Sequence, residues 1–533
     1  MKKLRLLGAL SFASLAFAGR GRYGKPLVSA DALQSLIKLD DLLAGAQQLE
    51  DFAYAYPERN RVFGGPAHQD TVNFIYDELS RTGYYDVYKQ EQVHLWSRSD
   101  QNLTVDGNKK IDAQTMTYSP SSDGVITAEL ALVSNVGCNT EDYPADVAGK
   151  IALIKRGTCT FAEKSVLAGK ADAVAAIVYN NIDGSLSGTL GSPSSPLGPY
   201  VPIVGISLED GTQLVSQIET TGSVTAELSV LSELQNRTTH NVIAQTKGGD
   251  PNNVVALGGH TDSVEAGPGI NDDGSGIISN LVIAKALTHF SVRNAVRFCF
   301  WTAEEFGLLG SDHYVSTLNA TELDRIRLYL NFDMIASPNY ALKIYDGDGS
   351  AFNQSGPPGS AQIERLFETY FDSYRHEPSS LKKPGKRKNP HRGLAYVPTA
   401  FDGRSDYAAF IEHGIPAGGL FTGAEGIKTE EEAALFGGEA GIAYDANYHG
   451  PGDNFTNLNP EAFLINSRAA AFAVATYARS LEEFPLRNSS AAAVKRRSWR
   501  MTGRMNRQRV GRGAVAHEHP HGASGCFHER VEI

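Results

Sequence analysis

Apolar and polar positions along this chain follow two different rhythms. Asp31 to Leu49 and Pro66 to Leu79 space their apolar residues three and four apart, which predicts amphipathic helices, and Asp86 to Val93 predicts a strand. From about Thr115 to Leu231 the texture changes. Strand-like pieces at Gly124 to Val133, Lys150 to Lys155, Ala175 to Tyr179 and Val201 to Ile206 are separated by Gly, Ser, Pro and Asn clusters, with one helix at Phe161 to Ala171. Beyond that an α/β rhythm returns. Val254 to Leu257, Ala295 to Trp301, Leu328 to Phe332, Leu342 to Tyr345 and Ala417 to Phe421 read as buried strands, with helical stretches between them and at Pro460 to Leu481. The first helices have no sheet of their own, so they belong with the later segment. The expected fold is therefore α/β, a central mixed sheet flanked by helices, with an inserted mainly β module.

The two ends add context. Met1 to Ala18 reads as a secretory signal: Lys2, Lys3 and Arg5, then apolar Leu6 to Phe17, then Ala16-Phe17-Ala18 as a cleavage site. No other apolar run approaches the twenty residues that span a bilayer. The expected product is secreted, or alternatively vacuolar, with no membrane span. Sequons at Asn102, Asn236, Asn319, Asn353, Asn454 and Asn488 fit a glycoprotein on that route. Of four cysteines, Cys138 and Cys159 can bridge in an oxidising compartment, whereas Cys299 lies in an apolar strand and reads as a buried thiol. The net charge of −11 argues against nucleic acid as a partner. From Arg487 onward the tail carries about +7, leaving about −18 on the rest, and its composition predicts disorder. The expected organisation is 1–18 signal, 19–114 first part of the α/β domain, 115–231 insert, 232–486 second part and 487–533 basic tail. Lys382 to Arg392 is a basic insert that reads as a solvated loop.

The candidate chemistry gathers at strand ends. Val254 to Leu257 feeds into Gly-Gly-His-Thr-Asp-Ser-Val, and Asn-Asp-Asp-Gly-Ser-Gly follows before a helix, Ile277 to Leu287. This places His260 and Asp262 where a strand stops and Asp272 where a helix starts. Glu304 and Glu305 follow the strand ending at Trp301, Asp333 follows Phe332, and His449 lies in a loop before the last helix. Ligands of open α/β sheets gather outside the carboxyl ends of strands, so five such groups can converge. Neutral imidazole with carboxylate oxygens suits zinc. Asp346-Gly-Asp-Gly-Ser350 resembles the start of a calcium loop but lacks a closing acid, so a turn is expected. Neither a Gly-x-Ser-x-Gly elbow nor a Walker loop is present.

The runs Gly-Gly-His-Thr-Asp-Ser, Asn-Asp-Asp-Gly-Ser-Gly, Ala-Glu-Glu-Phe-Gly-Leu-Leu-Gly-Ser, Asn-Phe-Asp-Met-Ile and Tyr-His-Gly-Pro-Gly-Asp closely resemble the di-zinc aminopeptidases. Among them the likeness is greatest to the secreted fungal leucine aminopeptidases and vacuolar aminopeptidase Y. It covers roughly Lys25 to Pro485, in the family's motif order. Asp146 to Gly157, Phe161-Ala162-Glu163-Lys164 and Tyr200-Val201-Pro202 resemble the protease-associated domain, inserted in that family before the metal-binding strands.

The resemblance implies a zinc exopeptidase fold and two Zn2+ ions per chain. His260 and Asp333 would hold one ion, Glu305 and His449 the other, and Asp272 would bridge them. Glu304 would be the general base and Asp262 the carboxylate that orients His260. Tyr448 would help stabilise the oxyanion. A cis peptide at Asp272–Asp273 is implied as well. Phe401 to Tyr407 and Gly418 to Gly423 resemble substrate-side loops, and Arg404 reads equally well as a loop-supporting salt bridge. Peptides with a free amino terminus are the expected substrates and a monomer the expected state. The rivals are a di-zinc carboxypeptidase, a one-zinc glutaminyl cyclase on the same fold, and a receptor-like ectodomain without catalysis. No motif-linked Lys stands out to hold a terminal carboxylate, and a receptor has no reason to keep five ligands plus a base.

Overall fold

Val255 to Leu257 and Phe298 to Trp301 are apolar on both faces, as strands in the middle of a covered sheet must be. The computed structural model, which describes residues 24–374 and 393–486, sets them side by side and parallel. The strand order around them is Val397–Thr399, Lys343–Tyr345, Ala417–Phe421, Ile326–Phe332, Asp250–His260, Asn294–Trp301 and the later half of Thr225–Thr246. The four strands from Ala417–Phe421 to Asn294–Trp301 run parallel. Lys343–Tyr345 pairs antiparallel with Ala417–Phe421 and parallel with Val397–Thr399, and Thr225–Thr246 pairs antiparallel with Asn294–Trp301. The sheet is mixed, as its sequence predicts.

Alternation along these strands supplies two cores. Val255, Leu257, Val296, Phe298, Phe300, Leu328 and Leu330 face the helices Leu39–Tyr54, Pro66–Ser80, Gly274–Leu287 and Pro460–Arg479. Ala256, Cys299, Trp301 and Tyr329 face the opposite side, where Tyr329 stacks on Phe410 at 3.8 Å. The helix Gly274–Leu287 is buried almost all round, and it needs glycine at its first turn. A Cβ on Gly276 would collide with the Phe332 carbonyl oxygen, so the helix start sits directly against the end of a strand.

These elements form one unit, residues 24–90 with 240–486; residues 91–239 form a second. In the second, Ile126–Leu132, Ile151–Lys155, Ala175–Tyr179 and Ile203–Ile206 run parallel, and Ala113–Thr115 closes one edge antiparallel. It holds one helix more than its sequence texture suggests, Leu208–Thr221. Gly211 and the threonines there read as turn chemistry. Ser207 nevertheless caps the helix at Asp210, Gly222 ends it in the left-handed conformation, and Gly211 is needed where it touches Tyr179. Cys138 and Cys159 are bridged, and Cys299 is a buried free thiol that burial pushes up to about 12. The chain passes between the units within two continuous strands, Tyr85–Val105 and Thr225–Thr246, so the texture changes at 115 and 231 fall inside the second unit.

No helix among the described residues is long and apolar enough to cross a membrane. The signal segment, the insert Lys382 to Arg392, Asn488 and the tail with Lys495-Arg496-Arg497, His517, His519 and His521 lie outside the described residues.

Candidate active site

Three of the parallel strands stop at one edge of the sheet, and each releases polar side chains there. His260 is the last residue of its strand, Glu304 and Glu305 follow Trp301, and Asp333 follows Phe332. Asp272 comes from the loop before Gly274–Leu287, and Tyr448, His449 and Asp453 from the loop before Pro460–Arg479. The turns that aim these groups are unusual. Ala303, Met334 and His449 all have positive φ, at 53°, 51° and 54°, which non-glycine residues rarely adopt. The Asp272–Asp273 peptide is cis.

The expected residues meet. Asp272 Oδ1 lies 3.1 Å from His260 Nε2 and Asp272 Oδ2 lies 3.3 Å from His449 Nε2. Glu305 Oε2 is 2.9 Å from His449 Nε2, and Asp333 Oδ1 is 3.7 Å from His260 Nε2. Glu304 Oε2 stands 3.8 Å from His260 Nε2. Asp262 is fully buried, and its Oδ1 accepts the Glu304 backbone N–H at 3.1 Å. The closer neighbour of His260 Nδ1 is the Asp262 carbonyl oxygen at 3.2 Å; the Asp262 carboxylate is 3.7 Å away.

Charge is crowded here. Asp262, Asp272, Asp273, Glu304, Asp333, Asp406 and Asp453 are all buried, and Glu305 nearly so. Burial, together with the negative charges of Glu305, Asp406 and Asp333, pushes Glu304 well above the usual carboxylate range. Burial also pushes Asp262 and Asp406 up to about 7 and Asp453 up to about 8. The imidazoles move the other way from ordinary buried histidines. Burial opposes their charge, but Glu304, Asp272 and Asp333 hold His260 well above its usual range, and Glu305 and Asp272 hold His449 at about 10. So many buried carboxylates are untenable without cations to offset them. Asp262 Oδ2, Glu305 Oε1 and Asp333 Oδ1 accept no hydrogen bond at all. Orphaned oxygens beside two imidazoles, shared through both oxygens of one aspartate, fit a pair of zinc ions.

Several contributors were not singled out from sequence. Asp273 accepts backbone N–H groups from His260, Gly276 and Met334, which ties two strand ends to a helix start. Asp453 accepts from Asn271 and Asp272. Ser405 donates to Asp333 Oδ2 at 2.6 Å. Arg61 is completely buried, and its guanidinium bonds the carbonyls of Thr261, Pro268 and Gly269. It lies in Asn60-Arg61-Val62-Phe63-Gly64-Gly65, a turn-rich stretch just before the helix Pro66–Ser80. Asp346 accepts from Gly349, Ala351 and Phe352, so that loop is a turn, although Glu364 brings a third carboxylate to Asp346 and Asp348.

The metal-type residues open into a cavity of about 210 Å3, also lined by Met334, Tyr345, Phe421 and Tyr444. Two cations line it too: Arg404, from the loop that resembles a substrate-side loop, and Lys343, which the sequence did not place. Both are already paired, Arg404 with Glu425 at 2.8 Å and Lys343 with Glu432 at 3.4 Å.

Comparison with known proteins gives a consistent result. Residues 241–474 match the model of peptidase family M28 and residues 126–214 that of the PA domain. The chain is 66% identical to probable leucine aminopeptidase 2 of Aspergillus fumigatus over 100% of both chains. It is 58% identical to leucine aminopeptidase 2 of Arthroderma otae, over 87% of this chain and 89% of that one. Among solved structures, an aminopeptidase from Aneurinibacillus sp. strain AM-1 matches with a TM-score of 0.58 and 28% identity, covering 86% of this chain and 98% of that one. A zinc aminopeptidase from Bacillus subtilis matches with a TM-score of 0.53 and 25% identity, covering 84% and 97%.

Proposed function

The chain belongs to peptidase family M28, with a PA domain inserted in it, and on that premise we propose that it is a leucine-type aminopeptidase working through two zinc ions. The observation that carries this reading is the meeting of His260, Asp272, Glu305, Asp333 and His449 around orphaned carboxylate oxygens, with the Glu304 carboxylate beside them.

In this reading His260, Asp272 and Asp333 would hold one ion, and Asp272, Glu305 and His449 the other. Bound there, zinc supplies a nucleophilic water acidified to near neutral pH and positive charge for the scissile carbonyl. The chain's own residues do the rest. Glu304 takes the proton from the attacking water and passes it to the leaving amine. Asp262 holds the Glu304 backbone and lends its carbonyl to His260, which sets the direction of both. Tyr448 donates to the oxyanion as the carbonyl carbon becomes tetrahedral.

The surplus of carboxylates gives the substrate's α-ammonium group a place to bind. The two cations in the cavity are engaged by Glu425 and Glu432, which disfavours a carboxypeptidase that must clasp a free carboxylate. The apolar wall of Met334, Tyr345 and Phe421 suits a hydrophobic amino-terminal side chain. Substrates are peptides with a free amino terminus, acted on by a secreted monomer. Asn102, Asn236, Asn319 and Asn353 are exposed, as acceptors of glycans on that route must be.

The test is a panel of aminoacyl-coumarin substrates beside their N-acetylated forms, with zinc content measured. Cleavage of free but not blocked leucyl substrate is expected, with two zinc ions per chain. Glu304→Gln should keep its metal and lose most turnover. Cleavage of the blocked forms would reject the aminopeptidase reading.

A further inference from the structure

We propose that Arg404 is a positioning residue: its guanidinium, anchored by Glu425, fixes the Tyr448 hydroxyl as a hydrogen-bond donor into the cavity where the scissile carbonyl becomes an oxyanion. The proposal rests on the aminopeptidase reading and names a residue that this reading leaves without a role.

Polarity of the contact comes first. Arg404 Nη2 lies 3.2 Å from the Tyr448 hydroxyl oxygen. A guanidinium has only donors, so the tyrosine oxygen must accept. Its single proton is then directed elsewhere, and among the described residues the Tyr448 hydroxyl donates to none. Both side chains line the cavity with Glu305 and His449, which leaves that proton for whatever enters. Accepting from a cation also polarises the O–H bond and makes it a better donor.

The arginine is itself held. Nη1 donates to Glu425 Oε1 at 2.8 Å, and the Arg404 backbone N–H donates to Asp402 Oδ1 at 3.0 Å. Asp402 in turn accepts from the Tyr407 hydroxyl at 2.7 Å, and Tyr407 is buried. On the other side the Tyr448 ring stacks on the His449 imidazole, centroids 3.8 Å apart. Tyr448 is thus held at its ring by His449 and at its oxygen by an arginine whose guanidinium is anchored on Glu425 and whose backbone is anchored on Asp402. A salt bridge that merely braced its loop would have no need to end on that oxygen.

A double-mutant cycle tests this on the full-length, zinc-loaded protein, with Arg404→Met, Tyr448→Phe and the pair. Wild type and Glu304→Gln establish first that turnover of leucyl-coumarin comes from this centre. If the blocked substrate is cleaved, or Glu304→Gln stays active, the aminopeptidase reading fails and takes the proposal with it. With that control passed, Tyr448→Phe should lower kcat about 100-fold. Arg404→Met should lower kcat about 10-fold, with KM changed less than about 3-fold and zinc content unchanged. The double variant should be no slower than Tyr448→Phe alone, because Arg404 acts through that hydroxyl. Arg404→Lys, still a pure donor, should recover part of the loss. Calorimetric affinity for the phosphonic acid analogue of leucine, a tetrahedral anion, should fall in the same non-additive pattern. Losses that multiply in the double variant would overturn the proposal, as would an Arg404→Met protein with unchanged kcat and analogue affinity.

Discussion

Asp453 holds Asp272 by its backbone: Asp453 Oδ2 accepts the Asp272 N–H at 3.0 Å, while Oδ1 accepts the neighbouring Asn271 N–H at 2.8 Å. Two bonds to consecutive peptides fix the plane from which the Asp272 side chain leaves, so its two oxygens face two different imidazoles. Asp453→Ala should therefore weaken zinc binding and lower kcat, each about 10–100-fold. A chelator competition titration alongside steady-state kinetics measures both. Unchanged zinc affinity would mean that Asp272 is oriented by something else.

Ser405 does for Asp333 what Asp453 does for Asp272, but through the side chain. Its hydroxyl donates to Asp333 Oδ2 at 2.6 Å and accepts from Asn331 Nδ2 at 2.8 Å, leaving Oδ1 to face His260. Ser405→Ala should reduce affinity for one ion about 10-fold and spare the other. Stepwise zinc titration into the apoprotein should then show one site displaced and one unmoved.

Arg61 is the largest structural debt among the buried cations. Its guanidinium bonds three backbone carbonyls, at Thr261, Pro268 and Gly269, which carry the loop between His260 and Asp272. Arg61→Met leaves buried acceptors unpaired and should cost about 3 kcal/mol or more of stability. Arg61→Lys should fare little better, since an ammonium cannot span the same fork. Denaturant unfolding of both variants checks this; a loss below about 1 kcal/mol would mean the loop is held by other contacts.

Removing metal should destabilise the fold as well as stop the reaction. The carboxylates around His260 and His449 repel one another once their cations are gone. A ligand at about 1,000 times its Kd stabilises by about 4 kcal/mol, so phenanthroline should lower the thermal midpoint and zinc restore it. An unaltered midpoint would argue against a metal at this position.

His68 gives the protein an acid-sensitive point. Burial first, then nearby Arg61 and His240, pushes its imidazole down to about 3 from the ordinary 6.5. Between those values the unfolded chain binds a proton that the folded chain refuses. Its contribution is therefore complete above about pH 6.5 and is lost as pH falls toward 3, by about 1 kcal/mol per pH unit. Thr261 Oγ already donates to the Trp301 carbonyl, so His68 Nε2 is the donor in its 2.8 Å contact with Thr261. His68→Gln keeps a donor without titrating and should flatten stability against pH in that window. An equally steep curve would assign the acid response to other groups.

Much of this was readable from the chain itself. Apolar runs at Val254, Ala295, Leu328 and Ala417 must be central strands, because only a sheet covered on both faces buries them. Whatever ends such parallel strands must share one edge, so His260, Glu304, Glu305 and Asp333 can converge there. The tertiary structure decided what local pattern cannot encode. Arg61, Asp453 and Ser405 act on loops far away in sequence through one to three hydrogen bonds each, which leave no periodic trace. The same is true of Arg404: whether its guanidinium ends in solvent, on Glu425 or on a tyrosine oxygen depends on where two loops meet, and that is set by the packing of the whole sheet.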